Sequence, residues 1–255
     1  VQKLDSGSEP EWDNGGLTAM VGLDGDVKYT SSFKKGDDDV FLTWEDKRAT
    51  KKIYATRIIN SAIQYNNGKQ ISFSDNSSDD NTSPNVIKNE SNFYIGTYDA
   101  TSSPKFMKIN KLNEQLENIW DSTGVSISSE ADMRDGILVD IENGVGCLWS
   151  ESRLFDYNIY YQRLDEEGNT VFNNGGIELI NANSDDIIMA VIQTPDDHLI
   201  VFWFNEQWSP TGSLKIIKYL KIDYDGSPAI GWNPAGLNLS DPYSASSNLQ
   251  IKMIN

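Results

Sequence analysis

The chain has 255 residues, with 38 acidic side chains against 21 basic ones and a formal net charge of −17 at pH 7. A field of that sign repels phosphate backbones and anionic lipid heads, which argues against nucleic-acid and membrane-surface roles. No apolar run approaches the roughly 18 residues that span a bilayer, and 11% aromatic content spread along the chain marks a folded object rather than a disordered one.

From the first residues onward one pattern recurs five times: an aromatic, then Asn or Asp, then a glycine three or four residues after the aromatic. It reads Trp12-Asp-Asn-Gly15, Tyr65-Asn-Asn-Gly68, Trp120-Asp-Ser-Thr-Gly124, Phe172-Asn-Asn-Gly175 and Trp232-Asn-Pro-Ala-Gly236. The aromatics stand 53, 55, 52 and 60 residues apart, and a second series (Trp44, Tyr98, Trp149, Trp203) keeps the same beat at 54, 51 and 54. Two independent markers with one period define a repeat.

Each unit reads as four short strands. The first is modestly apolar, as in Gly136-Ile-Leu-Val-Asp-Ile141 and Ile187-Ile-Met-Ala-Val-Ile192. The second is nearly continuous apolar, as in Val40-Phe-Leu-Thr-Trp44, Phe93-Tyr-Ile-Gly-Thr-Tyr98 and Leu199-Ile-Val-Phe-Trp203, which predicts a strand covered on both faces. The third, as in Ile53-Tyr-Ala-Thr-Arg-Ile58 and Ile159-Tyr-Tyr-Gln-Arg-Leu164, alternates and suits a strand nearer the rim. The fourth carries the aromatic–Asn–Gly signature, after turns such as Asp165-Glu-Glu-Gly168 and Asp223-Tyr-Asp-Gly226, where Asp caps and Gly tolerates positive φ.

With no helical periodicity, the expected fold is all-β: a β-propeller of four-stranded blades with about 54 residues per repeat. A β-solenoid or tandem β-sandwiches fit the period less well. The expected division is a partial blade at 1–20, full repeats at 21–76, 77–132, 133–186 and 187–247, and the first strand of a further blade at 248–255. That phase fits a piece of a longer propeller better than a closed five-bladed ring with a thin last blade. The opening at Val1, with no visible signal peptide, reads as a mature or trimmed product.

The strings Trp44-Glu-Asp-Lys-Arg48 with Ile53-Tyr-Ala-Thr-Arg-Ile58, and Trp149-Ser-Glu-Ser-Arg153 with Asn158-Ile-Tyr-Tyr-Gln-Arg-Leu-Asp165, Gly168 and Phe172-Asn-Asn-Gly175, resemble a repeat of exported, type IX secretion-type surface proteins of Bacteroidota. The second repeat, Tyr98-Asp-Ala with Phe106-Met-Lys-Ile109, keeps only the aromatic and the spacing. The resemblance implies a propeller fold and an extracellular or cell-surface location, and it implies no activity.

What recurs in every unit is expected to be structural: Trp12, Trp44, Tyr65, Tyr98, Trp120, Trp149, Phe172, Trp203 and Trp232, together with Arg48, Arg153, Arg57 and Arg163. Function is expected where the repeat breaks. The connection between second and third strands lengthens in the third and fourth repeats, which places Phe155, Tyr157 and Trp208 in a candidate partner or ligand face for a protein or glycan. The expected function is therefore a noncatalytic binding scaffold and not an enzyme, because the arginine cluster and Asp-box spacing of sialidases are not met. The alternative is a carbohydrate-active propeller hydrolase. No cofactor is expected; Ca²⁺ is the open option, at acidic clusters such as Asp37-Asp-Asp39, Asp79-Asp80, Asp185-Asp186 and Asp196-Asp197, although none forms a full calcium loop. Cys147, in Val145-Gly-Cys-Leu-Trp149, reads as a buried inert thiol, and the single His198 is too isolated for a multi-histidine metal site. Asp121-Ser122-Thr123 resembles a Bacteroidota O-glycosylation motif, which makes Ser122 a possible acceptor.

Overall fold

The computed structural model describes residues 1–12, 15–20, 27–34, 39–47, 51–72, 81–89, 91–99, 104–128, 130–153, 155–173, 175–209 and 212–242. Among these residues there are strands and turns and no α-helix, hence no helix long and apolar enough to cross a membrane. Four antiparallel sheets follow one another along the chain. The first holds β1 (Val27–Lys34), β2 (Asp39–Lys47), β3 (Lys51–Ile59) and a fourth strand split into β4 (Ala62–Ile63) and β5 (Lys69–Gln70). The second holds β6 (Asn81–Asn89), β7 (Asn92–Asp99), β8 (Met107–Leu112) and β9 (Val125–Ser126). The third holds β10 (Met133–Ile141), β11 (Gly144–Glu151), β12 (Asn158–Asp165) and β13 (Ile177–Ile180). The fourth holds β14 (Asp185–Gln193), β15 (Leu199–Ser209), β16 (Gly212–Ile222) and β17 (Leu237–Asn238). Every sheet is a meander in sequence order, and each β1-type strand carries a register shift against its neighbour.

The chain forms two compact units: Val1–Thr101 with Lys108–Val125, and Ser102–Met107 with Ser126–Asn255. The first buries Phe41, Ile53, Val86, Phe93 and Leu112 together, with Phe41 and Phe93 stacked at 4.3 Å between centroids. The second buries Leu148, Ile159, Tyr161, Ile188, Val201 and Leu220. As the unbroken apolar run requires, β11 is buried at all eight positions. Cys147 lies there with its Sγ against Met107 Sδ at 3.8 Å, and burial pushes its thiol far above its ordinary value.

Two sequence expectations are refined. The third strand is no rim strand in the first three sheets: β3 is buried at seven of nine positions. The cause is a buried polar residue that fastens the next segment over it. Thr56, Asn110 and Gln162 occupy one position, and each binds backbone of the following signature. The signature itself is a turn, not a strand. An isolated bridge (Leu112 to Asn118, Leu164 to Thr170, Ile222 to Pro228) precedes it, and the short β9, β13 or β17 follows. The turn that such a bridge closes is capped as the sequence suggests: Asp5, Asn113 and Asp165 each accept two backbone N–H groups.

A glycine at the end of the signature turn has a steric reason: Gly68 and Gly236 belong to the signature itself, and in the third sheet the part falls to Gly176, one residue after the signature's Gly175. Gly68, Gly176 and Gly236 have φ of +72°, +73° and +70°. A Cβ there would come within 2.5, 2.8 and 2.3 Å of the rings of Trp44, Trp149 and Trp203. Each indole edge thus rests on a bare backbone. In the second sheet the corresponding glycine, Gly124, meets Asn110 instead, and Tyr98 is only half-buried. Gly176→Ala is therefore expected to cost about 3 kcal/mol, strain plus ring displacement. Gly231→Ala, at φ +86° but facing open space, should cost about 1 kcal/mol. Urea denaturation of the two variants checks the difference.

Candidate functional site

The third sheet ends in a cleft of about 520 Å³ whose residues come from three segments. The β11–β12 loop supplies Phe155 and Asp156, β12 supplies Asn158 and Tyr160, and β13 with the residues after it supplies Glu178 and Asn181. Phe155 is 91% exposed, an apolar ring left in water. Glu178 faces Tyr160 across the β12–β13 pairing. Its Oε1 accepts from Asn158 Nδ2 at 2.9 Å and Tyr160 Oη at 2.8 Å, and its Oε2 accepts from Asn181 Nδ2 at 2.9 Å. Burial, and next the bond to Glu178, push the Tyr160 phenol up to about 12, so it donates throughout the neutral range. Asn158, which lines the cleft, has a buried Oδ1 with no partner among the described residues.

This network is held from below. Arg153 lies over the Tyr160 ring at 3.8 Å and donates to Glu151 Oε2 from Nε at 3.1 Å and Nη2 at 2.8 Å. Trp149 Nε1 donates to the same oxygen at 3.0 Å, while Glu151 Oε1 accepts from Ala131 N at 2.8 Å and Ser128 Oγ at 3.3 Å. The buried Glu151 thus has both oxygens satisfied inside the protein, and Arg153, besides bonding it, lines the cleft. Arg48 lies outside the described residues; Arg57 pairs with Asp39 at 2.7 Å.

A smaller cleft of about 290 Å³ shares Asn181 and Ala182 with the first. At its base Asp186, on β14, is fully buried. Asp186 Oδ1 accepts from Trp203 Nε1 at 2.9 Å and Asn205 Nδ2 at 2.8 Å, whereas Oδ2 has no partner among the described residues. Burial is the main cause that raises this carboxyl to about 6, against the lowering effect of the Asn205 and Trp203 bonds and of Lys218.

Of the three aromatics singled out in the sequence, Phe155 stands in the cleft. Tyr157 does not line it: its ring sits against Arg134 at 5.0 Å, and its backbone N–H donates to Asp185 Oδ1 at 3.0 Å. Trp208 pairs with Ser213 in the β15–β16 hairpin, and its side chain is outside the described residues. Glu178, Asn158, Tyr160, Asn181 and Asp186 were not singled out. A signal for Glu178 existed: the residue at its register position is Gln70 in the first sheet and Asn238 in the fourth, so the repeat changes there. Ser122 is exposed in its turn. Among the described residues no group of three or more His, Cys, Asp or Glu is placed to hold a metal ion; Asp37, Asp38, Asp79 and Asp80 lie outside them.

No protein-family model and no curated protein sequence matches the chain. Solved structures do. An α-L-arabinofuranosidase of Fusarium graminearum has a TM-score of 0.57 at 9% identity over 79% of this chain and 64% of its own. A GH130-family glycoside hydrolase that targets β-1,2-mannosidic linkages in Candida mannan has 0.52 at 9% over 88% and 73%. A glycosyl hydrolase from Bacteroides ovatus has 0.51 at 8% over 86% and 72%. This chain spans just under two thirds of the arabinofuranosidase's length. With the four meandering sheets, these likenesses define the fold as a β-propeller. They also correct the expectation that the chain is not an enzyme, since the structures that share its fold act on glycosidic linkages. That expectation leaned on missing sialidase features, whereas glycoside hydrolysis in general takes two carboxyl groups and no arginine cluster.

The Asp186 carboxyl makes stability depend on pH. Its folded-state value near 6 lies above the ordinary 3.8, so between those limits the folded chain holds more proton, and this contribution to stability is lost as pH rises. Asp186→Asn is expected to gain up to about 3 kcal/mol relative to the parent on going from pH 4 to pH 7.5. Chemical denaturation of both proteins at the two pH values checks this; an unchanged difference would contradict it.

Proposed function

We propose that this chain is a carbohydrate-active propeller protein that grips a glycan in the Phe155 cleft. One observation carries the reading: a nearly fully exposed aromatic ring stands beside a fixed set of polar groups, Glu178, Tyr160, Asn158 and Asn181, and one of them has a buried oxygen without a partner. Sugars have apolar faces and hydroxyl rims, which calls for this combination of a flat apolar surface and convergent donors and acceptors. The cleft, about 520 Å³, falls within the roughly 300–1,000 Å³ of small-ligand sites. It also holds two carboxyl groups, as glycosidic cleavage takes. Glu178 is fixed by three donors and serves as base or nucleophile, and Asp156, on the exposed loop, serves as the acid. An exported or cell-surface setting, with type IX secretion as the route, belongs to the same reading and is supported by the repeat resemblance of Trp149 to Gly175.

The substrate names of the similar structures suggest the probes: arabino-oligosaccharides and β-1,2-manno-oligosaccharides of two to four units. At least one series should bind by calorimetry and release reducing ends. Phe155→Ala should weaken binding about tenfold or more while moving the melting temperature by less than about 2 °C, because an exposed ring contributes little to the core. Glu178→Gln should abolish turnover and keep binding within about threefold. Unchanged affinity in Phe155→Ala would remove the glycan from this cleft.

A further inference from the structure

The repeat changes at one buried carboxyl. In the first and third sheets the indole N–H of the second-strand tryptophan donates to an acid two residues further on: Trp44 to Asp46 at 3.4 Å and Trp149 to Glu151 at 3.0 Å. In the fourth sheet that position is Asn205, and the acid comes instead from β14 as Asp186. Glu151 spends both oxygens on protein donors; Asp186 spends only Oδ1. A buried carboxyl oxygen left without a donor costs stability unless a ligand or water hydroxyl meets it.

Asp186 is among the residues that line the smaller cleft, and the other walls decide the chemistry of that ligand. Asn205 and Lys218 give it polar walls, and Ile180 and Pro234 give it apolar ones. Lys218 disfavours a cation beside Asp186, and the carboxyl disfavours an anion, so the fitting ligand is neutral and rich in hydroxyls. At about 290 Å³ the cleft is at the lower edge of small-ligand sites, room for a single sugar ring. Asn181 and Ala182 line it and the Phe155 cleft alike.

We propose that the Asp186 cleft is a second sugar subsite, reached past Asn181, in which Asp186 Oδ2 accepts a hydrogen bond from a hydroxyl of a further unit of the glycan held at Phe155. The assignment rests on the glycan reading above and adds a chain-length preference to it. At pH 7.5 the carboxyl is ionised and Oδ2 acts only as an acceptor, a role the amide nitrogen of an asparagine cannot fill.

The test titrates the di- and tetrasaccharide of whichever oligosaccharide series binds, at pH 7.5, by calorimetry. The wild type should bind the tetrasaccharide about tenfold more tightly. Asp186→Asn should lose that gain and keep its disaccharide affinity. Ala235→Phe, which fills the cleft from an exposed position without touching the indole–carboxyl bond, should do the same if Asp186→Asn folds poorly. A length gain that survives in both variants overturns the subsite. So does a wild type with no length gain whose disaccharide binding still depends on Phe155; the glycan reading then stands alone. If neither sugar series binds, the glycan reading falls and the subsite with it.

Discussion

The third sheet hangs on one buried arrangement: an indole whose N–H meets a carboxylate and whose edge rests on a glycine with no side chain. Trp149 holds Glu151 and sits on Gly176, which together connect β11 to the segment before β13. The carboxylate in turn orients Arg153, the guanidinium covers Tyr160, and Tyr160 positions Glu178. The polar end of the candidate cleft is thus built outward from a structural tryptophan. A buried carboxylate is tolerable only because every one of its oxygens is bonded, and Glu151 meets that condition with five contacts.

Much of the fold was legible in the sequence because it repeats. The unbroken apolar second strands, the paired aromatic and glycine markers and the Asp- or Asn-capped turns follow from needs that recur along the chain, the second sheet departing where Gly124 meets Asn110. The third strand was less legible. Its alternation reads as one wet face, but Thr56, Asn110 and Gln162 are polar residues turned inward to bind the backbone of the signature turn. A period-two pattern cannot distinguish a polar side chain facing water from one facing an unpaired peptide group. The fourth sheet shows the alternative, with the apolar Leu220 buried at the same position.

The site was half legible for the opposite reason. Phe155 could be found because the loop around it lengthens. Glu178 and Asn158 could not, since their meaning depends on which residue lies across the sheet, and register is not written in one strand alone. Asp186 was grouped among the acidic pairs considered for Ca²⁺. Its burial comes from supplying an acceptor that β15 lacks, a substitution between strands visible only once Trp203 and Asn205 stand beside it. The expectation that the chain is not an enzyme leaned on the motifs of sialidases alone, and the solved structures that share the fold are glycoside hydrolases of other kinds.

The seating of Trp149 on Gly176 has a consequence for motion. Indole, glycine and carboxylate all belong to one meander, so the contact cannot be loosened by pulling that sheet away from anything else; it opens only when the meander itself comes apart. Breathing in this region is therefore all-or-none at the scale of a sheet, and amide protons along β11 and β12 should exchange as a single cohort rather than fraying strand by strand.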